Sequence, residues 1–266
     1  MAQSCHLDLF AGIGGFSLAA ATVGGIRTTQ FVELDSDAQL VLRSHYPTVP
    51  IHADIRDYHP QPGQFDLYSV GFPCTGTSIA GNGSGLNHPE SSLWLEALRC
   101  IVQGLPTFIV IENPAGLITR GLRAVLGGLR ICRYCWDDPQ IISAAELGAP
   151  HERKRLFIVA YPDHLRQRFR EIPTSWGDQI GAVIEEIYQG GGQTASSRAG
   201  VDDGVPPWVG GRNIDGWWRD NRASHYPGMR SHTPKRRECN DLYARSVSPL
   251  QAAVALQRVL YLSSLL

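Results

Sequence analysis

A cysteine that follows Gly-Phe-Pro at the end of a short apolar run, and precedes a stretch with four glycines, stands where a nucleophile would be useful. This is Cys74, within "SVGFPCTGTSIAGNGSGLNH" from Ser69 to His88. In apolar surroundings a cysteine is ordinarily a small buried hydrophobe. Here Pro73 confines Phe72 to extended geometry, and the glycine-rich stretch reads as a loop, where binding and catalytic groups concentrate. A thiolate in that place can act by covalent catalysis. Two other sets of groups sit at the ends of apolar runs. Glu112 closes "TFIVIE", where a partly dry pocket would raise its proton affinity. Arg153 and Arg155 flank Lys154 in "PHERKRLF", and their alternation puts both on one face of a strand start.

A second set of residues could hold a ligand. "LDLFAGIGGFSLA" places Gly12, Gly14 and Gly15 directly after an apolar run and before a helical pattern. Glycines there let the backbone approach a ligand closely, and the helix start offers free N–H groups. The dinucleotide fingerprint G-x-G-x-x-G is met only in part, because Ser17 holds the third glycine position. Glu33 in "FVELD" follows about twenty residues on, where an acceptor for ribose hydroxyls belongs. Asp54 in "HADIRD" ends a third strand, within reach of an adenine amino group. Singly these are a turn glycine, a solvated glutamate and a helix-capping aspartate. In register on successive strand ends, they point to a nucleoside cofactor.

The elements that must position these groups alternate along the chain. Apolar runs at His6–Phe10, Thr29–Leu34, Asp66–Val70, Thr107–Ile111 and Leu156–Tyr161 predict buried parallel strands. Helical patterns lie between them at Gly15–Val23, Ser36–His45, Ser91–Gln103 and Gly116–Gly127. This alternation predicts an α/β fold with a doubly wound sheet and ligands at the carboxyl ends of the strands. After Pro162 the periodicity fades. Residues 163–240 hold eleven Arg or Lys, ten Asp or Glu and four of the six tryptophans, in a Gly-rich setting. They read as a small, irregular, loop-heavy region. Pro249–Leu262 is again an amphipathic helix. The expected organisation is a first domain over 1–162, the irregular region over 163–240 and a carboxyl-terminal segment over 241–266.

Taken together, "DLFAGIGGF", "GFPC", "IENP" and "GAPHERKRLFIV", in this order, resemble the motifs of the DNA (cytosine-5) methyltransferases. The resemblance covers about residues 5–161 and returns weakly at 244–255. It implies a Rossmann-like methyltransferase sheet, S-adenosyl-L-methionine as cofactor and double-stranded DNA as substrate. Cys74 would attack carbon 6 of a flipped-out cytosine. Glu112 would bind the ring nitrogen and exocyclic amine, and Arg153 and Arg155 the carbonyl oxygen and nearby phosphate. Cofactor-binding positions carried over are Phe10, Ala11, Gly12, Gly14, Gly15, Glu33, Leu34, Asp54, Ile55, Pro73, Ser246 and Val247. The region 163–240 would choose the target sequence. Three departures stand out: His151 where the family usually has Gln, Pro114 where it more often has Val, and Ala244-Arg245 where it has Gly-Asn. Arg245 either faces solvent or meets the methionine carboxylate. Other readings stay open: an NAD oxidoreductase, which would leave Cys74, Glu112 and Arg155 unexplained, a tRNA cytosine methyltransferase, or a catalytically impaired DNA-binding relative.

Composition adds bounds rather than function. The net charge of -1 is silent about nucleic acid, and only two of twenty-four basic residues are lysines, a bias that codon composition explains. Six irregularly spaced cysteines predict reduced thiols rather than a disulfide framework. No metal site is expected at Cys132 and Cys135, because no second pair of ligands follows. The expected setting is the cytoplasm, without a membrane span. The expected state is a monomer, with a cognate restriction endonuclease as a conceivable companion.

Overall fold

The computed structural model describes residues 3–73, 93–149, 152–170, 172–189, 242 and 245–266. Five strands run parallel: β1 (Ser4–Leu9), β2 (Ile26–Val32), β3 (Ile51–His52), β4 (Leu67–Val70) and β5 (Phe108–Pro114). Two edge pieces follow, β6 (Tyr134–Trp136) and β7 (Gln140–Ser143), and then β8 (Lys154–Pro162). β8 lies antiparallel to β5, and the order is β3-β2-β1-β4-β5-β8, with β6 and β7 on the outer side of β8. The registers of β6 and β7 on β8 differ by one residue. They form one edge strand interrupted near Asp137 by a bulge.

Side chains alternate across this sheet, so each strand feeds two cores. On β5, Phe108 and Val110 face one core while Ile109 and Ile111 face the other. On β8, Phe157 and Val159 divide from Leu156 and Ile158 in the same way. The first core is closed by α1 (Gly15–Val23), α6 (Arg166–Arg170), α7 (Trp176–Gln189) and α8 (Pro249–Ser263). The second is closed by α3 (Leu93–Gly104), α4 (Leu117–Arg120) and α5 (Leu122–Ile131). α2 (Ser36–His45) covers Phe31 with Leu42. This is the doubly wound architecture that the strand–helix alternation predicts.

Local chemistry sets the element ends. Asp35 caps α2 by accepting the backbone N–H groups of Asp37 and Ala38 at 2.9 and 3.2 Å. α1 stops at Gly24 and Gly25, both left-handed with φ near +72° and +71°. Pro249 opens α8, where a missing N–H is harmless.

Four elements differ from the sequence reading. The run at Leu156–Tyr161, expected to be parallel, turns back from β7 as a hairpin strand and so lies antiparallel to β5. The helix expected over 116–127 is two helices, broken at the extended Gly121. "RICRYCW" reads from its sequence as a strand, yet Ile131 still ends α5 and only Tyr134–Trp136 is strand. Past Tyr161, where periodicity was expected to fail, α6 and α7 form. Phe169, Trp176 and Ile180 are buried in the same core as α1 and α8. α8 lies on α1 through Ala19 and Ala20 on one side and Ala252, Ala253 and Ala255 on the other, side chains small enough for close approach. Arg258, almost wholly buried on α8, pairs with Asp137 at 2.6 Å and also donates to the Thr174 carbonyl and the Gln179 side-chain oxygen. A buried charge so fully satisfied fastens α8 to the edge bulge and to the start of α7.

Candidate active site

The carboxyl ends of β1, β4 and β5 and the start of β8 meet along one rim of the sheet. At β1 the chain turns through Phe10, Gly12 and Gly14, all left-handed with φ of 58°, 54° and 86°. Phe10 is a non-glycine residue in that region, a strained conformation that surrounding structure must hold. Part of the hold comes from Glu33 at the end of β2. Its Oε2 accepts the Gly12 N–H at 2.6 Å and its Oε1 accepts the Asp35 N–H at 2.8 Å. Burial raises the proton affinity of Glu33, and the two N–H groups work against that.

The glycines accommodate the chain itself. A Cβ on Gly12 would lie 2.9 Å from Ser246 Oγ, and one on Gly15 would lie 2.4 Å from the Val247 carbonyl oxygen. Ser246 and Val247, expected at the cofactor, are thus placed directly on the glycine loop. Ser246 Oγ accepts the Ile13 N–H at 3.4 Å and donates to the Leu242 carbonyl at 2.8 Å. Arg245 pairs with Asp35 at 3.0 Å and remains largely exposed. Burial would raise the Asp35 carboxyl, but the N–H groups of Ala38 and Asp37 and the Arg245 charge together hold it low.

The remaining cofactor candidates divide. Ala11 is buried and Phe10 half-buried in the turn. Leu34 is 63% exposed just past β2, an apolar side chain with little protein over it. Ile55 is buried in the second core, so its side chain is committed there. Asp54 is held by Arg56, whose Nε and Nη2 reach its carboxylate at 2.9 and 2.5 Å. The Arg56 contact lowers the Asp54 pKa. Asp54 must release this exposed partner before it can accept from a ligand, a small penalty for a surface ion pair.

On β5, Glu112 is 7% exposed and lies opposite Phe157 of β8, with Asn113 opposite Leu156. Arg155 Nε approaches Glu112 Oε1 to 2.8 Å as an ion pair. The N–H does not point along the contact, and that oxygen has no hydrogen-bond partner among the described residues. Burial pushes the Glu112 carboxyl up, and Arg155 and Arg153 pull it back. Glu112 Oε2 lies 3.8 Å from the position a Cβ would take on Gly71. Asn113 Nδ2 donates to the Phe72 carbonyl at 3.1 Å, fixing the exit of β4 to the end of β5. Pro73 is the last described residue there. Cys74 and residues 75–92 lie outside the described residues, as do His151, residues 190–241 and Ala244.

A polar ring beneath the rim escaped the sequence reading. His6 and Asp8 on β1, Ser69 on β4, Thr28 on β2 and Ser17 on α1 are all buried. Asp8 accepts from Ser69 at 2.6 Å and from Ser17 at 2.9 Å. His6 meets Ser69 at 2.7 Å and Thr28 at 2.8 Å, and Thr28 closes the ring on Ser17 at 3.0 Å. The signal available was His6 and Asp8 two apart in "HLDL", hence on one face of a buried strand.

Several known proteins are similar to this chain. Type II methyltransferase M.HpaII of Haemophilus parainfluenzae is 32% identical over 163 residues, covering 58% of this chain and 45% of that protein. Type II methyltransferase M.CviJI of Paramecium bursaria Chlorella virus IL3A is 34% identical over 160 residues, covering 58% and 42%. The chain thus spans somewhat under half the length of these relatives. A solved structure of Spodoptera frugiperda DNMT2 superposes with a TM-score of 0.51 at 20% identity, covering 65% of this chain and 54% of that one, a likeness of fold. Residues 5–189 match the sequence model described as C-5 cytosine-specific DNA methylase, and this chain belongs to that family.

Proposed function

We propose that the chain transfers a methyl group from S-adenosyl-L-methionine to carbon 5 of a flipped-out cytosine in duplex DNA. The observation that carries this reading is the meeting of Glu112 and Arg155 in a nearly dry pocket, beside the β4 exit that leads through Pro73 to Cys74. Carbon 5 of cytosine is a poor nucleophile. When the Cys74 thiolate adds to carbon 6, the ring electrons shift so that carbon 5 becomes an enamine carbon able to attack an electrophile. Bound S-adenosylmethionine would supply that electrophile as its sulfonium methyl. Loss of the carbon 5 proton to solvent then expels the thiolate and restores the aromatic ring.

In this reading Glu112, its proton affinity raised by burial, presents a proton to the ring nitrogen and accepts from the exocyclic amine. Arg155 turns from Glu112 toward the cytosine carbonyl oxygen as the base enters. Asn113 keeps the β4 exit, and hence Cys74, in register with Glu112. The cofactor half fits its residues. Glu33 retains free lone pairs for ribose hydroxyls beside the glycine turn, and Leu34 offers an exposed apolar face for a flat ring. We assign target choice to residues 163–240, and within them to the part past α7, since α6 and α7 are built into the first core. No helix among the described residues is long and apolar enough to cross a membrane.

Transfer of tritiated methyl from S-adenosylmethionine to duplex DNA, with tRNA in parallel, tests the reading. Label recovered as 5-methylcytosine in DNA supports it. Label confined to tRNA, or absent from both, overturns it.

A further inference from the structure

We propose that Arg153 is a positioning residue that ties the cofactor half of the site to the base half, rather than a contact to the base. This rests on the functional reading above only for the names of the two halves. The Arg153 guanidinium donates through Nη2 to the Ser246 carbonyl. Ser246 in turn presses on Gly12 and accepts the Ile13 N–H. One residue therefore spans from the start of β8 to the glycine turn at β1.

The backbone of Arg153 is held just as firmly. Its φ is 27°, a left-handed value that a non-glycine residue keeps only when its surroundings enforce it. The enforcement is visible. Gln251 of α8, with no exposed surface, donates its Nε2 to the Arg153 carbonyl at 2.8 Å and to the Ile142 carbonyl at 2.6 Å. On the preceding residue, the Glu152 carbonyl accepts from Ser143 Oγ and the Ala144 N–H, each at 2.9 Å. The kink so fixed lies two residues before Arg155, the partner of Glu112. Burial, with Arg155 close by, brings the Arg153 pKa down to about 10, and Glu112 works the other way. With Nη2 on that carbonyl and the backbone kink fixed, the direction of the guanidinium is set by the carboxyl-terminal segment before any base arrives.

Two variants test this. Arg153→Met removes the donor and the charge, whereas Arg153→Lys keeps the charge near Glu112 and loses the forked donor. Hydrogen exchange in the ligand-free protein, followed over the 10–18 and 242–256 peptides, should be faster in Arg153→Met by about ten-fold at the Ile13 and Ser246 amides, the scale of one hydrogen bond to a charged group. Calorimetric titration with S-adenosylhomocysteine, without DNA, should show a similar rise in Kd. Arg153→Lys should fall between Arg153→Met and wild type in both. If Arg153→Met does not fold, Arg153→Lys against wild type carries the comparison. Unchanged exchange and cofactor Kd, with only the KM for DNA raised, would overturn the proposal and return Arg153 to the base. Failure of the wild type to bind the cofactor would overturn the functional reading alone, because the ligand-free exchange still decides the role of Arg153.

Discussion

Glu112 and Arg155 sit close enough for the guanidinium to pull the buried carboxyl back toward its charged form, and substitution of Glu112 separates chemistry from stability. Glu112→Gln keeps the shape and the hydrogen-bonding face but loses the titrating proton. Single-turnover methyl transfer should fall by about 10²–10⁴-fold, the usual contribution of a positioned acid or base. The same change leaves a nearly buried guanidinium without its counter-charge, so thermal unfolding should show a loss of about 1–3 kcal/mol. A variant that keeps its rate and loses only stability would make the pair structural. Cys74→Ser separates the two quantities in the opposite sense. A serine alkoxide forms far less readily than a thiolate at neutral pH, so transfer should drop by orders of magnitude while calorimetric binding of the cofactor stays near wild type. Near-normal turnover in that variant would remove Cys74 as nucleophile. Glu112 and Arg155 were legible in sequence because Glu112 ends one apolar run and Arg155 directly precedes the next. The partner of Arg153 was not, since Ser246 is 93 residues away and only the return of α8 brings it near.

Among the elements, the glycine turn was legible and its occupant was not. Glycines after a strand were read as room for a ligand, and part of that room is taken by Ser246 and Val247. Gly15→Ala would drive a methyl group to 2.4 Å from the Val247 carbonyl, a backbone atom that gives way only if the carboxyl-terminal segment shifts. Urea unfolding should show a loss of about 1–3 kcal/mol, as for other overpacked sites. Gly127→Ala is the counterpart. Its Cβ meets nothing within 4 Å, its φ is not left-handed, and it lies inside α5. That variant should gain about 0.5–1 kcal/mol from helix propensity. Equal behaviour of the two would show that the segment gives way freely at Gly15. The bounds of α1 and α2 were readable from a glycine stop and an aspartate cap. α7 was missed although Trp176, Ile180, Val183, Ile184 and Ile187 keep helical spacing, because Gly177 and Gly181 sit among them in a stretch already judged irregular. β7 was missed because four residues after Asp-Asp-Pro carry no period, and only pairing with β8 makes them a strand.

At the scale of the whole molecule, the ring of His6, Ser69, Asp8, Ser17 and Thr28 joins β1, β2, β4 and α1 beneath the site, and it has a proton count. Five contacts close the ring and each needs one hydrogen. Three hydroxyls and a neutral imidazole supply four. The fifth is one proton held between Asp8 and His6, as carboxylic acid with neutral imidazole or as carboxylate with imidazolium. Both fillings are neutral overall, which burial favours. Burial carries Asp8 up to about 7, against the hydrogen bonds from Ser69 and Ser17 and with nearby Glu33 adding to the rise. It carries His6 down to about 3. The folded ring therefore keeps one proton between about pH 3 and 7. The unfolded chain, with ordinary values of 3.8 and 6.5, also holds one between those pH values, on histidine instead. Equal counts make the ring's contribution flat there. Above 6.5 the unfolded chain holds none while the folded ring still holds one, so stability falls as pH rises toward 7. Asp8→Asn supplies the fifth hydrogen from its amide without ionisation. The folded variant then binds no proton in this window while unfolded His6 still binds one. Its stability should fall relative to wild type by about 1.4 kcal/mol for each pH unit from 6.5 down to 4, the full linkage slope of one proton. Urea unfolding of both proteins at pH 6.5, 5.5 and 4.5 checks this, and other carboxylates cancel in the difference. Curves that descend in parallel would mean that Asp8 is ionised and His6 neutral in the fold, with one contact of the ring left without its hydrogen.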